Sequence, residues 1–75
     1  SISNVKMSVL ITERDSCIRF SFRSKGDFSV NDFAKKYFDG GGHFNAAGGT
    51  LYCSIEEAIN KLLLVLPEYK EQLNK

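Results

Sequence analysis

Five of the chain's six glycines fall at positions 40, 41, 42, 48 and 49. Such a run cannot lie inside a helix, where each glycine costs about 1 kcal/mol relative to alanine. The segment Gly40-Gly41-Gly42-His43-Phe44-Asn45-Ala46-Ala47-Gly48-Gly49 therefore divides the chain. The residues on each side of it must supply the apolar faces of the fold.

Before the run, Val5, Met7, Val9 and Ile11 alternate with Lys6, Ser8 and Thr12, the period of a half-buried strand. Arg14, Asp15 and Ser16 suit a turn. Ile18, Phe20 and Phe22 then point one way while Arg19, Ser21 and Arg23 point the other, so the pair predicts an antiparallel hairpin. Ser29 is placed as an N-cap with Asp32 three residues on, and Phe28 and Phe33 have the spacing of a hydrophobic staple. Val30, Phe33, Ala34, Tyr37 and Phe38 form the apolar stripe of a first helix. Gly40 is predicted to end that helix in the left-handed conformation.

After the run, Thr50 to Cys53 reads as a short strand. Ser54 and Glu57 form a capping box. Ile55, Ala58, Ile59, Leu62, Leu63 and Leu66 keep helical spacing, and Pro67 ends that helix or opens a further turn or two from Glu68 to Leu73. The predicted fold is α/β: a single small domain over residues 1–75, a mixed sheet containing a β-hairpin, and two helices packed on the Ile18, Phe20, Phe22 face.

A chain of 75 residues buries only about 60–65% of its unfolded surface, so the core is thin. The net charge of +1 excludes a broadly basic nucleic-acid coat but leaves room for a local basic site. No apolar run approaches the roughly 20 residues that span a bilayer. No membrane partner is expected, and a cytoplasmic location is. Cys17 and Cys53 are too few for a disulfide scaffold and are read as reduced. The sequence starts at Ser1 rather than Met, as a piece of a longer protein would.

In the glycine run, consecutive residues without Cβ let a ligand approach the amides, and successive N–H groups can form an anion-binding nest. His43 adds a donor whose charge changes near neutral pH, and Asn45 adds a donor and an acceptor. The alternative is a helix stop followed by a tight turn. The spacing matches neither a P-loop nor a dinucleotide fingerprint. Arg19 and Arg23 share a strand face about 13 Å apart, too far to clamp one phosphate together. Both also fit an ordinary solvated sheet face. Ser24 and Lys25 extend this polar edge, whereas Lys35 and Lys36 belong to the solvent side of the first helix.

Arg23-Ser24-Lys25-Gly26, a capped helix, and then Gly40-Gly41-Gly42-His43-Phe44-Asn45-Ala46-Ala47-Gly48 resemble the DHH-associated domain. This is the small C-terminal domain of phosphoesterases named for an Asp-His-His motif. The likeness is greatest to the branch of oligoribonucleases (nanoRNases) that also act on phosphoadenosine phosphate, often described as exopolyphosphatase-related. RecJ-type exonucleases and cyclic-dinucleotide phosphodiesterases are relatives. The resemblance implies a C-terminal part of a larger hydrolase whose missing N-terminal DHH domain carries two manganese ions. The small domain would grip a short RNA or DNA oligonucleotide or a nucleotide phosphate. Carried onto this sequence, Gly41, Gly42 and His43 hold the phosphate at the scissile bond, with His43 as the catalytic candidate and Asn45 beside it. Arg23 and Ser24 bind the remaining phosphate or nucleotide. Arg19 is a further substrate-binding candidate outside the motif. Asp39 departs from the pattern, standing where another glycine is common.

Two-metal hydrolysis needs several convergent Asp or His ligands. This chain has one His and scattered acids, so it is expected to bind and orient substrate, with no metal site and no catalysis of its own. The alternative function is a stand-alone or appended nucleic-acid-binding module, as in the related C-terminal domain of alanyl-tRNA synthetases.

Overall fold

The computed structural model describes residues 6–74. Val5, assigned from sequence to the first strand, lies outside them. The strands are β1 (Met7–Glu13), β2 (Ile18–Ser24), β3 (Gly41–His43) and β4 (Ala46–Leu51); the helices are α1 (Val30–Tyr37), α2 (Ile55–Val65) and α3 (Lys70–Leu73). A short 3-10 helix, Leu66–Tyr69, joins α2 to α3 with Pro67 in its first turn. The strands form one sheet in the order β1-β2-β4-β3. Where sequence left the sheet mixed, all three pairings are antiparallel.

Alternation along β2 decides which face is covered. Ile18, Phe20 and Phe22 are buried, while Arg19, Ser21 and Arg23 are exposed, as their spacing predicts. The buried side chains meet Phe28, Val30, Phe33, Ala34 and Phe38 from α1 and its flanks, and Ala58 and Leu62 from α2. Phe20, Phe22, Phe33 and Phe38 pack ring against ring at centroid separations from 4.6 to 5.6 Å. Full burial of one such ring contributes about 1.5–3 kcal/mol, which lets four of them hold a thin core together.

Both helix starts follow the predicted chemistry. Ser29 Oγ accepts the Asp32 N–H at 3.2 Å, and Phe28 and Phe33 meet as the staple with centroids 6.0 Å apart. At α2, the Ser54 side chain accepts from the Glu57 amide at 3.1 Å and the Ser54 amide donates to the Glu57 carboxylate at 3.0 Å. The Ser54 backbone N–H first, and the Ser54 side chain second, hold the Glu57 carboxyl below its ordinary pKa.

Three local expectations are corrected. The strand expected over Thr50 to Cys53 runs instead over Ala46–Leu51. The left-handed residue after α1 is Asp39, at φ 48°, rather than Gly40; aspartate is among the few residues that tolerate this region. Gly40 is required for another reason, since a Cβ there would stand 1.9 Å from the Gly48 carbonyl oxygen. On α2, Ile59 and Leu63 are exposed. They lie on the flank of a narrower stripe, Ile55, Ala58, Leu62, Val65 and Leu66, which alone packs on the core.

The end of the chain is tied to α1. Tyr69 sets its ring edge-on to Phe28 and Phe33. Lys36 pairs with Glu68 at 2.7 Å, and Tyr37 donates its hydroxyl to the same carboxylate. The hydrogen bonds from Lys36 and Tyr37 lower the Glu68 pKa, and the bond to Glu68 raises that of Lys36. Cys17 and Cys53 are free and half-buried. No helix among the described residues is long and apolar enough to cross a membrane.

Candidate functional site

The glycine run forms β3, an edge strand, and not the turn predicted for it. Gly41 and Gly42 have φ values of 155° and 158°, which side-chain-bearing residues rarely adopt. Gly42 has a second requirement, because a Cβ there would come within 2.7 Å of the Ala46 carbonyl oxygen. Glycines carry no alternating pattern, so the strand was invisible to periodicity.

A two-residue turn, Phe44 and Asn45, connects β3 to β4. It is fastened to the body of the domain at several points. The Phe44 carbonyl accepts the Val30 amide at 2.8 Å, where α1 begins, and the Asn45 carbonyl accepts the Ser24 amide at 3.0 Å. Asn45 Nδ2 donates to Ser24 Oγ at 2.9 Å and to the Gly26 carbonyl at 3.3 Å. Ser24 Oγ in turn donates to the Phe28 carbonyl at 2.6 Å. The Gly42 amide donates to Asn31 Oδ1 at 2.9 Å. Asn31 was not singled out from sequence, where it reads as an ordinary polar residue in the first turn of a helix.

Register sorts the candidate residues by face. Paired residues point to the same side of an antiparallel sheet. His43 pairs with Ala46, Ala46 with Arg23, and Arg23 with Ser8. These four form one row on the face that carries no helices. His43 and Arg23 are both exposed there, about 10 Å apart at the backbone by two strand spacings. A histidine and an extended arginine at that separation can reach one phosphate from opposite sides. The Arg23 guanidinium holds the Phe22 carbonyl at 3.1 Å, which leaves its other N–H groups free. Beside Arg23, a recess of about 130 Å³ is lined by Lys6, Met7, Ser8, Ser24 and Lys25. The row is thus basic at its β1 end, with histidine at its β3 end.

The other candidates separate from this pair. Ser24 falls on the helix side of the sheet, and its hydroxyl is occupied by Phe28 and Asn45. Asn45 spends its amide on Ser24 and Gly26, so both brace the hairpin that presents His43. The Gly42 amide is taken by Asn31 at 2.9 Å. Arg19 lies on the open face, four residues along β2 from Arg23. Among the described residues, no three His, Cys, Asp or Glu side chains gather into a set fit for a metal ion.

The DHHA1 domain family matches residues 1–72. A bifunctional oligoribonuclease and PAP phosphatase, NrnA, from Bacillus subtilis (strain 168) is 44% identical over 52 residues, which make up 69% of this chain and 16% of the relative. The crystal structure of an exopolyphosphatase-related protein from Bacteroides fragilis superposes on the whole chain with a TM-score of 0.91 at 41% identity, covering 22% of that protein. The chain therefore spans less than a quarter of either relative.

Proposed function

The chain belongs to the DHHA1 domain family, and on that premise we propose that it is the substrate-binding domain of a DHH-family phosphoesterase that acts on a short oligonucleotide or nucleotide phosphate. The observation that carries this reading is the single row His43, Ala46, Arg23 and Ser8 on the open face, with Lys6 and Lys25 at its end. A phosphate laid across Ala46 meets no side chain beyond a methyl group. From one side Arg23 offers a charge-assisted, two-pronged contact. From the other, His43 donates to a phosphoryl oxygen and steadies the charge that develops during transfer.

The hydrolytic chemistry is assigned to an N-terminal DHH domain of the longer protein, with two manganese ions there and the whole in the cytoplasm. Among the described residues no side chains gather into a set fit for a metal ion; the share assigned to this chain is binding and orientation. The name of the Bacillus relative supports oligoribonucleotides and phosphoadenosine phosphate as the substrates.

Amide NMR of this chain titrated with AMP tests the reading. Shifts centred on His43, Ala46 and Arg23 are expected. Shifts confined to α2 and α3 would refute it. Turnover of a dinucleotide by the purified chain would refute the division of labour.

A further inference from the structure

The alternation of backbone bonds along β1 leaves one side of that strand open. The Lys25 amide donates to the Lys6 carbonyl at 2.9 Å, and the Arg14 amide to the Cys17 carbonyl at 2.8 Å, one bond at each end of the β1–β2 ladder. Bonded positions in an antiparallel pair recur every second residue, so Ser8, Leu10 and Thr12 turn their N–H and C=O groups to β2. Met7, Val9, Ile11 and Glu13 turn theirs outward. β1 stands at the end of the sheet order, and among the described residues no strand lies beyond it. Edge strands are commonly guarded by proline, a bulge or a central charge. β1 has an unbroken register, no proline and no charge before Glu13.

A second unpartnered surface lies on the same side. α1 packs over β3 and β4, toward the other edge of the sheet. Lys61 marks the flank of α2 nearest α1, with its ammonium 5.7 Å from the centre of the Phe38 ring. Ile59 and Leu63 stand two residues to either side of Lys61, about 200° around the helix, so they form the flank turned away from α1 and toward β1. They are 41% and 61% exposed. On the helix side of β1, Met7, Val9 and Ile11 are only partly buried.

We propose that a second copy of this chain covers both surfaces, through antiparallel pairing of β1 with β1 about a two-fold axis at Leu10. Only a register that pairs residues of like parity keeps the helices of both copies on one face of the joined sheet. Centred on Leu10, that register sets Met7 against Glu13, Ser8 against Thr12 and Val9 against Ile11, and it uses every outward N–H and C=O of the strand. Leu10, 66% exposed in the single chain, meets its own counterpart at a non-hydrogen-bonded position, where facing side chains come closest. On the other face the two α2 flanks meet over the seam, Ile59 against Leu63, and complete the cover of Val9 and Ile11. One symmetry operation thus accounts for the exposure of Leu10, Ile59 and Leu63, and it closes on a pair. Lys6 falls opposite Arg14 just beyond the paired strands, so added salt should strengthen the pair. β3, which carries His43, is at the opposite edge, so the inference stands apart from the phosphate-binding reading.

Sedimentation velocity and light scattering on the chain, over micromolar to millimolar concentrations, should show a mass that rises toward twice the 8.4 kDa of one chain. Leu10→Lys and Leu63→Glu should each raise the dissociation constant about tenfold or more, because each change acts twice across the axis. Both positions are exposed, so both variants should keep the wild-type circular dichroism spectrum. Leu64→Glu, two residues from buried Leu62 and so on the outer side of α2, should leave the dissociation constant unchanged. In mixtures of labelled and unlabelled chains, filtered NOEs should join Val9 to Ile11 and Ile59 to Leu63 between copies. The proposal is overturned if the chain stays a monomer throughout, if Leu64→Glu dissociates the pair as well as Leu63→Glu does, or if the NOEs join other surfaces. It is equally overturned if the longer protein has the mass of one chain while its outward β1 amides resist hydrogen exchange, which would give the edge to a strand of the same chain.

Discussion

His43 and Arg23 lie 20 positions apart in sequence and share one row of the open sheet face, joined through Ala46 on the strand between them. Neither residue is buried or required by the core. Their effects on folding and on ligand are therefore separable, and the predictions exploit this.

His43→Ala should leave the thermal midpoint of the domain within a degree or two of wild type, because an exposed side chain on an edge strand holds no packing. In the longer protein, if it is the phosphoesterase proposed above, the same change should reduce turnover by about 10²–10⁴-fold through loss of a donor to the reacting phosphoryl group. Circular dichroism melts and steady-state kinetics check the two halves. An unfolded variant, or a fully active one, contradicts the assignment.

Arg23→Ala should act on binding. A lost charge-assisted contact weakens the ligand by about tenfold or more, seen as a raised KM with a smaller change in kcat. Arg23→Lys should recover only part of this, since an ammonium cannot reproduce the fork. Equal loss in KM and kcat would place Arg23 in the reacting group's own shell instead.

Asn45→Ala should behave as a folding mutation. It removes the bonds to Ser24 and Gly26 and leaves the Ser24 hydroxyl short of a donor, which costs about 1–2 kcal/mol. For a chain of this size that lowers the midpoint by roughly 4–8 °C per kcal/mol. Nucleotide affinity measured well below the midpoint should fall only modestly, by the cost of a less preorganised hairpin. A large affinity loss without destabilisation would make Asn45 a ligand contact.

The Lys36–Glu68 pair gives stability a pH dependence at both ends. The Glu68 pKa is lowered in the folded state, so its contribution is present above the ordinary carboxyl value of 4.5 and is lost as pH falls through the folded value. The Lys36 pKa is raised, so its contribution is full below the ordinary lysine value of 10.5 and is lost only as pH rises through the higher folded value. Both groups are solvent-exposed, so the effect should be small and should shrink in high salt. Glu68→Gln should flatten part of the acid limb in urea titrations between about pH 5 and 3. An unchanged acid limb would show that the pair contributes nothing.

Much of this fold is legible in the sequence where the signals are local. The alternation of Ile18, Phe20 and Phe22 with Arg19, Ser21 and Arg23 identifies the covered and open faces. Ser29 and Ser54 mark both helix starts within a residue. What is not legible depends on pairing between distant segments. Gly41 to His43 becomes a strand only because β4 is there to pair with it, and a residue without a side chain gives no periodicity. Ser24 and Asn45 each read as a ligand donor, and nothing in the sequence announces the bond between them, 21 residues apart. Asp39 takes the left-handed position that glycine seemed bound to fill. Ile59 and Leu63 fit the helical spacing, but the width of the packed stripe is set by the sheet beneath it.

The bonds from the Phe44–Asn45 turn to Val30, Ser24 and Gly26 make the presenting hairpin preorganised. Conformational entropy that a flexible loop would surrender on capturing phosphate has already been surrendered during folding. Ligand association should therefore proceed in one phase, without a slow step of loop ordering. The Ser24, Val30 and Gly42 amides should be protected from hydrogen exchange in the free domain and gain little further protection when phosphate binds.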